Sequence, residues 1–428
     1  MRSPYTGRIR RALKLLKESS EREALVVSSN PLFARSRDTT FTFRQNSDLY
    51  YFTGTQAQDI TLVLNPHAKM PVVLIGPSAD PVKKLWEGAQ PSLTSVAKEV
   101  AADIVATRDP LRALVSAVRG VDKLYLQSIP GTASAALKYE LSHRSAAALR
   151  GLPNALVEVE AFTANLRLFK DAGEVSQIRR SAELTAGALQ AVLPLVRSGV
   201  PEREIGAFID YFYRAHGAEP AFSTIVAAGR SAATLHYHAL SRKLASGELL
   251  LIDTGAELNM YAADVTRMLP VGDTLNPAVR DLYDIVLTAQ KAAIRKVKPG
   301  ALFSEVYKAA ALELARGLRD LKVIKETPAK SLSSGSLKKW FPHGIGHWLG
   351  IDVHDVGPSS SDSRSRLQAG MVITIEPGLY FSKPIKSIPA CGIRIEDDVL
   401  VTRSGYQVLT EDVLPKELDR LFELVAVV

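Results

Sequence analysis

Residues 341–355 have the sequence FPHGIGHWLGIDVHD, which places His343, His347 and His354 within twelve positions. The chain contains only eight histidines, and two more of them lie in the stretch TLHYHAL at residues 234–240. A lone histidine is usually a hydrogen-bonded structural residue, but three so close together are harder to explain in that way. The cluster therefore favours a functional site.

Two glycines, Gly344 and Gly346, lie inside this histidine cluster. They predict special backbone conformations or a close approach of the backbone to another segment, and they argue against a regular helix. The spacing also differs from H-E-x-x-H, so a zinc-peptidase helix of that kind is not indicated.

Four carboxylates lie in apolar stretches that predict strands over residues 249–254, 261–269, 372–376 and 391–401. Asp253 ends LLLID, Asp264 lies within YAADVTRML, Glu376 follows VITI, and Glu396 lies within GIRIEDDVLV. Period-two alternation places each acid on a face that is otherwise buried. Because an unpaired buried carboxylate is costly, four of them in one region require cations.

Salt bridges are one explanation of these acids, but Arg267 and Arg394 are the only cationic neighbours that the sequence places well. Two divalent metal ions are the other explanation, since they would balance four negative charges. Such ions lower the pKa of a bound water toward ~7 and supply hydroxide at neutral pH. Oxygen-rich ligation with imidazole favours manganese, iron or cobalt over a thiolate-type zinc site.

Seven stretches of this region match a known family in their order along the chain. They are LRLFKDAGEVSQIRR (166–180), TLHYHAL (234–240), LLIDTGAEL (250–258), YAADVTR (261–267), FPHGIGHWLGIDVHD (341–355), MVITIEPGLYF (371–381) and GIRIEDDVLVT (392–402). In them the chain resembles the pita-bread metallopeptidases, the family of methionine aminopeptidase, prolidase, aminopeptidase P and creatinase. The ordered set is much more specific than any single stretch.

The resemblance implies a role for each matching position. It implies that five side chains bind two divalent ions, with Mn²⁺ expected and Co²⁺, Fe²⁺ or Zn²⁺ as alternatives. These ligands are Asp253, Asp264, His347, Glu376 and Glu396. Asp264 and Glu396 would bridge the metals, and Glu376 would also handle the proton of the attacking water.

Further site residues follow from the same resemblance. His236 and His354 are expected to contact substrate and stabilise the tetrahedral intermediate, and His343 is expected to line the pocket. Arg394 resembles an arginine that orients ligand carboxylates. Two further positions are similar to substrate-facing residues, namely Arg364 and Tyr380.

The stretch FRQNSDLYYFTG at residues 43–54 resembles the N-terminal domain of the aminopeptidase P group. In that group an aromatic residue of this stretch reaches the active site of a neighbouring subunit. Tyr50 takes its place here, where tryptophan is expected. The resemblance therefore implies a homo-oligomer, either a dimer or a tetramer.

The expected fold class is α+β, with two domains. Residues 1–160 are expected to form a smaller N-terminal α/β creatinase-like domain, and residues 161–428 a pita-bread catalytic domain. The expected reaction is hydrolysis of the Xaa-Pro bond by a metal-bridging hydroxide, which releases the first residue of peptides with proline in second position. The alternatives are an Xaa-Pro dipeptidase of the prolidase type and a non-catalytic binding module of the same fold.

The overall composition fits this interpretation. The chain has 428 residues, of which 46% are hydrophobic, so two domains are expected. The net charge of +8 is spread along the chain, which does not favour nucleic-acid binding. The chain has neither a signal-peptide apolar segment nor an apolar run that could span a membrane. Since Cys391 is the only cysteine, we expect a cytoplasmic protein and a buried structural role for this thiol.

Overall fold

The computed structural model describes residues 3–77, 81–143, 151–358 and 365–426. The chain divides into two compact units, Met1–Arg167 and Leu168–Val428. The sequence predicts that the first domain ends at residue 160. In the structure the first unit ends at Arg167, so it also contains the helix Glu160–Arg167.

The first unit consists of a mixed sheet with helices, in agreement with the predicted α/β organisation. Its strands are β1 (Glu23–Ser28), β2 (Ala34–Ser36), β3 (Thr39–Thr40), β4 (Thr61–Leu64), β5 (Val72–Gly76), β6 (Asp103–Ala106), β7 (Lys123–Leu126) and β8 (Ala155–Glu158). Its helices are α1 (Pro4–Glu18), α2 (Ser47–Thr53), α3 (Pro81–Glu87), α4 (Leu93–Val100), α5 (Pro110–Ala117), α6 (Ala133–His143) and α7 (Glu160–Arg167). The main sheet has the order β6-β5-β4-β1-β7-β8.

Strand β1 is apolar along most of its length because it lies inside this sheet, antiparallel to β4 and parallel to β7. The apolar run over residues 156–161 predicts a strand, and this prediction is only partly correct. Strand β8 ends at Glu158, and α7 begins at Glu160. An apolar run of this length does not distinguish a strand from the start of a helix.

The second unit contains several small antiparallel sheets and long helices. Its strands are β9 (Glu219–Pro220), β10 (Ile225–Ala228), β11 (Leu249–Thr254), β12 (Ala256–Leu258), β13 (Tyr261–Ala262), β14 (Val265–Pro270), β15 (Val372–Ile375), β16 (Gly378–Phe381), β17 (Cys391–Arg394), β18 (Asp397–Val401) and β19 (Tyr406–Val408). Its helices are α8 (Ala172–Ala191), α9 (Glu202–Ala215), α10 (Pro277–Ile294), α11 (Phe303–Asp320), α12 (Pro328–Ser334) and α13 (Leu418–Ala426). Three 3₁₀ turns cover Leu193–Leu195, Gly229–Ala233 and Ser336–Lys339.

Two pairs of strands bring the predicted metal ligands to one region. Strand β11 pairs with β14, and β15 pairs with β18, both in antiparallel register. The predicted strand over residues 261–269 is interrupted at Asp264, and the predicted strand over residues 391–401 is interrupted at Glu396. The backbone N–H of Glu396 donates to the carbonyl of Thr266 across 3.2 Å, which links the interruption at Glu396 to β14.

Two of the long helices begin with recognisable capping signals. Helix α8 begins with a capping box between Asp171 and Glu174, and α10 begins with Pro277 after the Asn276 cap. The polar stretch TPAKSLSSGSLK at residues 327–338 predicts a loop, and this prediction is wrong because Thr327 caps the short helix α12. In the described part of the chain, no helix is long and apolar enough to cross a membrane.

Candidate metal centre

A cleft of about 440 Å³ in the second unit gathers nine of the predicted site residues. Its apolar wall includes Phe222, Ile225, Leu235 and Val353. The predicted residues that line it are His236, Asp253, Asp264, His343, His347, His354, Glu376, Arg394 and Glu396. A cleft with an apolar wall and convergent polar groups is the usual form of a small-molecule site.

Three of the predicted ligands form the tightest group. Asp264, His347 and Glu396 each offer one ligand atom, and these atoms all lie within 4.8 Å of one another. Nε2 of His347 lies 3.3 Å from Oδ2 of Asp264. Nδ1 of His347 donates to the carbonyl of Trp348 at 3.0 Å, so Nε2 is left to face the carboxylates.

The other two predicted ligands, Asp253 and Glu376, line the same cleft. Oε1 of Glu376 lies 3.6 Å from Nε2 of His347. Asp253 forms an ion pair with Arg394, and its other oxygen, Oδ1, is buried and has no hydrogen-bond partner among the described residues. A buried carboxylate oxygen without a partner is unfavourable unless a cation or a proton reaches it.

Burial and mutual repulsion make this group of acids hard to ionise together. Burial raises the pKa of Asp264 well above its usual range, and the nearby charge of Asp253 raises it further. Burial and the charge of Asp264 likewise raise the pKa of Glu396 well above its usual range. Divalent cations would remove this repulsion, and the donor set of carboxylates with one imidazole suits them. The residues therefore fit the metal site that the sequence predicts.

Two threonines that the sequence analysis did not single out orient the ligands. Oγ1 of Thr266 donates to Oε2 of Glu396 at 2.7 Å, and Oγ1 of Thr374 donates to Oε1 of Glu376 at 3.3 Å. Thr374 also accepts the backbone N–H of His347 at 3.0 Å. Thr266 lies two positions after Asp264, and Thr374 lies two positions before Glu376. Residues two apart in a strand share a face, so this spacing could have identified both threonines.

Asp398 is a further buried acid that the sequence analysis missed. Its Oδ2 accepts the backbone N–H of Asp264 at 3.1 Å, whereas its Oδ1 is buried and has no hydrogen-bond partner in the described part of the chain. Burial raises the pKa of Asp398 well above its usual range. It therefore fixes the backbone at the interruption between β13 and β14.

A chain of hydrogen bonds runs from Arg394 through Tyr380 to His343. Nη1 of Arg394 donates to the hydroxyl of Tyr380 at 3.1 Å, and that hydroxyl lies 2.8 Å from Nε2 of His343. Nδ1 of His343 lies 2.8 Å from the carbonyl of Gly344, so it carries the ring proton and Nε2 accepts from the phenol. Burial lowers the pKa of His343 and raises that of Tyr380 to about 12, which keeps both groups neutral.

His236 and His354 have a different environment from His343. Among the residues that the structure describes, none forms a hydrogen bond with a ring nitrogen of either side chain. Burial and the neighbouring His347 lower the pKa of His354, so its imidazole is neutral at pH 7. Both rings therefore present unused nitrogens to the cleft.

The glycines of the histidine cluster differ from one another. A Cβ atom at Gly346 would lie 1.9 Å from the carbonyl oxygen of Thr374, so the predicted close approach is confirmed there. A Cβ atom at Gly344 would meet nothing nearer than 3.9 Å, and the backbone there is not left-handed, so the prediction is wrong for Gly344.

Three other residues were singled out from the sequence. Tyr50 lies in α2 of the first unit and is 8% exposed. Arg364 lies outside the described residues. Cys391 is buried, and burial raises the pKa of its thiol to about 12, which fits the predicted structural role.

Sequence profiles match both units of the chain. The profile of metallopeptidase family M24 matches residues 176–403, and that of the aminopeptidase P N-terminal domain matches residues 5–125. The chain is 31% identical to Xaa-Pro aminopeptidase of Escherichia coli, over 96% of both chains. It is 30% identical to human Xaa-Pro aminopeptidase 3, over 95% of this chain and 82% of the human protein.

Solved structures share the fold over the whole chain. The aminopeptidase PepP of Pseudomonas aeruginosa superposes with a TM-score of 0.91 and 31% identity, over 100% of this chain and 99% of that one. A variant of Escherichia coli aminopeptidase P in complex with substrate gives a TM-score of 0.90 and 30% identity, over 99% and 98% of the two chains. The predicted α+β fold, with a creatinase-like N-terminal domain and a pita-bread domain, is confirmed.

Proposed function

Since the chain belongs to metallopeptidase family M24 and carries an aminopeptidase P N-terminal domain, it is a metal-dependent Xaa-Pro aminopeptidase, and we propose that five side chains of its cleft hold two divalent ions. These side chains are Asp253, Asp264, His347, Glu376 and Glu396. The observation that carries the proposal is their convergence in one cleft, with the unpartnered buried oxygen of Asp253 among them.

The proposal of two ions rests on charge. Four carboxylates and one neutral imidazole carry four negative charges, which two divalent ions balance. We propose manganese as the metal, because oxygen donors with one imidazole suit it and the only thiol, that of Cys391, lines no part of this cleft. When bound, such ions supply Lewis acidity and acidify a coordinated water, which hydrolysis of an amide bond requires.

Glu376 is proposed to move the proton. Its side chain is 19% exposed, compared with 8% for Asp264 and 11% for Asp253, so it is the more accessible to water and substrate. The Thr374 hydroxyl orients one of its oxygens. Its carboxylate would accept the proton of the attacking water and deliver it to the proline nitrogen, which must gain a proton as it leaves.

His354 and His236 are proposed to bind the scissile carbonyl oxygen as it gains negative charge. Both line the cleft with unused ring nitrogens, and a neutral imidazole donates one N–H. His343 and Arg394 are proposed to act differently. The chain of hydrogen bonds through Tyr380 occupies His343, so these groups would shape the pocket and hold Asp253 in place.

We make four further proposals, which rest on the sequence. The role of Tyr50 at the active site of a neighbouring subunit, and the dimer or tetramer that this role requires, remain proposals, as does the substrate contact of Arg364. The cytoplasmic location expected from the single cysteine, Cys391, is a proposal too.

The test begins with protein stripped by a chelator and titrated with manganese. We expect activity on Ala-Pro-Ala to reach its maximum at two bound ions per chain, with no cleavage of Ala-Ala-Ala. Asp264→Asn should abolish activity and binding of both ions, whereas the exposed control Asp273→Asn should titrate like the wild type. Full activity at one ion per chain would overturn the two-ion proposal, and cleavage of Ala-Pro alone would indicate a dipeptidase.

A further inference from the structure

A fully buried ion pair lies beside the cleft, outside the proposed ligand set. Nζ of Lys170 lies 2.9 Å from Oδ2 of Asp355, and each side chain is 1% exposed. The two residues are 185 positions apart. Because charges lose their hydration when buried, such a pair is a weak means of stabilising a fold. The location of the pair next to the cleft is therefore more informative about its role than its contribution to stability.

Asp355 directly follows His354, and its backbone is tied to the segment that carries His347. The N–H of Asp355 donates to the carbonyl of Trp348 at 2.9 Å. The same carbonyl accepts Nδ1–H of His347 at 3.0 Å. The rings of His347 and His354 have their centroids 4.2 Å apart. The anchor at Asp355 thus fixes the backbone next to His354.

Lys170 is itself anchored, and the pair fits tightly. The backbone N–H of Lys170 donates to the carbonyl of Gly370 at 2.8 Å. A Cβ atom at Gly350 would lie 2.2 Å from Oδ2 of Asp355 and 2.8 Å from Cε of Lys170, so the absence of a side chain at Gly350 makes room for the pair. Residues 349–355 contain no helix or strand, so the segment depends on such contacts for its position.

The position of His347 does not depend on the ion pair. The backbone of His347 is bound to β15 twice, because its N–H donates to Oγ1 of Thr374 and its carbonyl accepts the N–H of Thr374 at 2.9 Å. Loss of the ion pair would therefore move His354 more than His347.

We propose that Lys170 and Asp355 form a positioning pair that holds the imidazole of His354 at the scissile carbonyl; this rests on the proposed role of His354. Neither residue lines the cleft, so both act through His354. Removing the pair should lower kcat and leave KM and the manganese content almost unchanged.

The decisive experiment is a double-mutant cycle of Lys170→Met with His354→Ala, measured on the manganese-loaded enzyme. Lys170→Met should lower kcat for Ala-Pro-Ala by about 10–100-fold, as expected for a misplaced catalytic group. In the His354→Ala background, Lys170→Met should lower kcat by less than about 2-fold, because coupled residues are not additive. Manganese content should stay at the wild-type value in all three variants.

The outcomes separate this inference from the function on which it rests. If His354→Ala leaves kcat unchanged, the proposed role of His354 fails. If His354→Ala lowers kcat but Lys170→Met acts with full effect in both backgrounds, the pair is merely structural and the inference is overturned.

A second variant covers the case in which Lys170→Met does not fold. Lys170→Met with Asp355→Leu removes both charges and leaves no unpaired ion, a change that proteins often tolerate. The double variant should fold and still show the loss in kcat, and wild-type kcat would overturn the inference. Lys123→Met, which breaks the Lys123–Glu23 pair of the first unit, is the control and should keep wild-type kcat.

Discussion

The guanidinium of Arg394 forms an ion pair with the carboxylate of Asp253, and both side chains are almost fully buried. The same guanidinium donates to Thr266 and to Tyr380. Arg394 therefore fixes one ligand directly and, through Thr266, supports Glu396. An arginine in this position acts on the geometry of the metal site, since its three contacts need a planar fork of donors.

Replacing Arg394 by lysine should weaken metal binding. Lysine keeps the charge but cannot make all three contacts, so we expect manganese affinity to fall about 10–100-fold, as for other partners of metal ligands. Calorimetric titration of the metal-free protein measures this. Arg295→Lys, at the C-terminal end of α10, is the control. Unchanged affinity in Arg394→Lys would show that charge alone is sufficient.

The metal-free enzyme should lose stability as the pH rises. A carboxyl group with a higher pKa in the folded chain contributes stability that is present below its unfolded pKa and is lost as the pH rises through the folded pKa. The pKa values of Asp264 and Glu396 are raised in this way. Tm measured in chelator should therefore be lower at pH 8 than at pH 5.5, and manganese should reverse the loss.

Asp264→Asn should stabilise the metal-free protein at pH 8, because it removes a carboxylate that is repelled and desolvated. The expected rise in Tm is about 2–4 °C per kcal/mol of repulsion removed. Thermal scans in chelator measure it, and manganese should give this variant no further gain. A lower Tm for Asp264→Asn than for wild type under these conditions would contradict the raised pKa.

His354→Ala should lower kcat by about 10²-fold or more, the usual contribution of a group that acts on the reacting atoms. Its metal content should not change, because His354 is not among the proposed ligands. Steady-state kinetics with Ala-Pro-Ala and elemental analysis check the two parts. His216→Ala, an exposed histidine at the end of α9, serves as the control.

Gly346→Ala should damage the metal site, whereas Gly344→Ala should not. The new Cβ at Gly346 would overlap the Thr374 carbonyl and push the His347 segment away from β15. We expect a loss of about 1–3 kcal/mol in stability, as for overpacked sites, together with weaker manganese binding. Chemical unfolding and metal titration of the two variants provide the comparison. Equal behaviour of the two variants would contradict the close approach.

The sequence predicted the strands that carry the ligands but not their interruptions. Asp264 and Glu396 lie where continuous strands were expected, because local apolar patterns do not show where a ladder of hydrogen bonds stops. Burial of Asp253 was correctly inferred from its apolar neighbours. Glu376 is only partly buried, since it follows the end of β15 and does not lie within it.

Contacts between distant segments were beyond the reach of the sequence. Lys170 lies in a stretch that carried the family resemblance, yet nothing in its neighbourhood indicates a partner 185 positions away. The same holds for Asp398 and the backbone N–H of Asp264. Such pairs depend on the packing of whole elements, whereas the contact between Thr374 and Glu376 joins residues only two positions apart in sequence.

The late position of Glu396 in the chain also constrains when the metal site can form. Asp253 and Glu396 are 143 positions apart, so during synthesis on the ribosome the first ligand emerges long before the last. Until β18 is in place, the early ligands form an incomplete set that holds a cation weakly. We therefore expect metal loading, and with it peptidase activity, only after residue 396 has been synthesised.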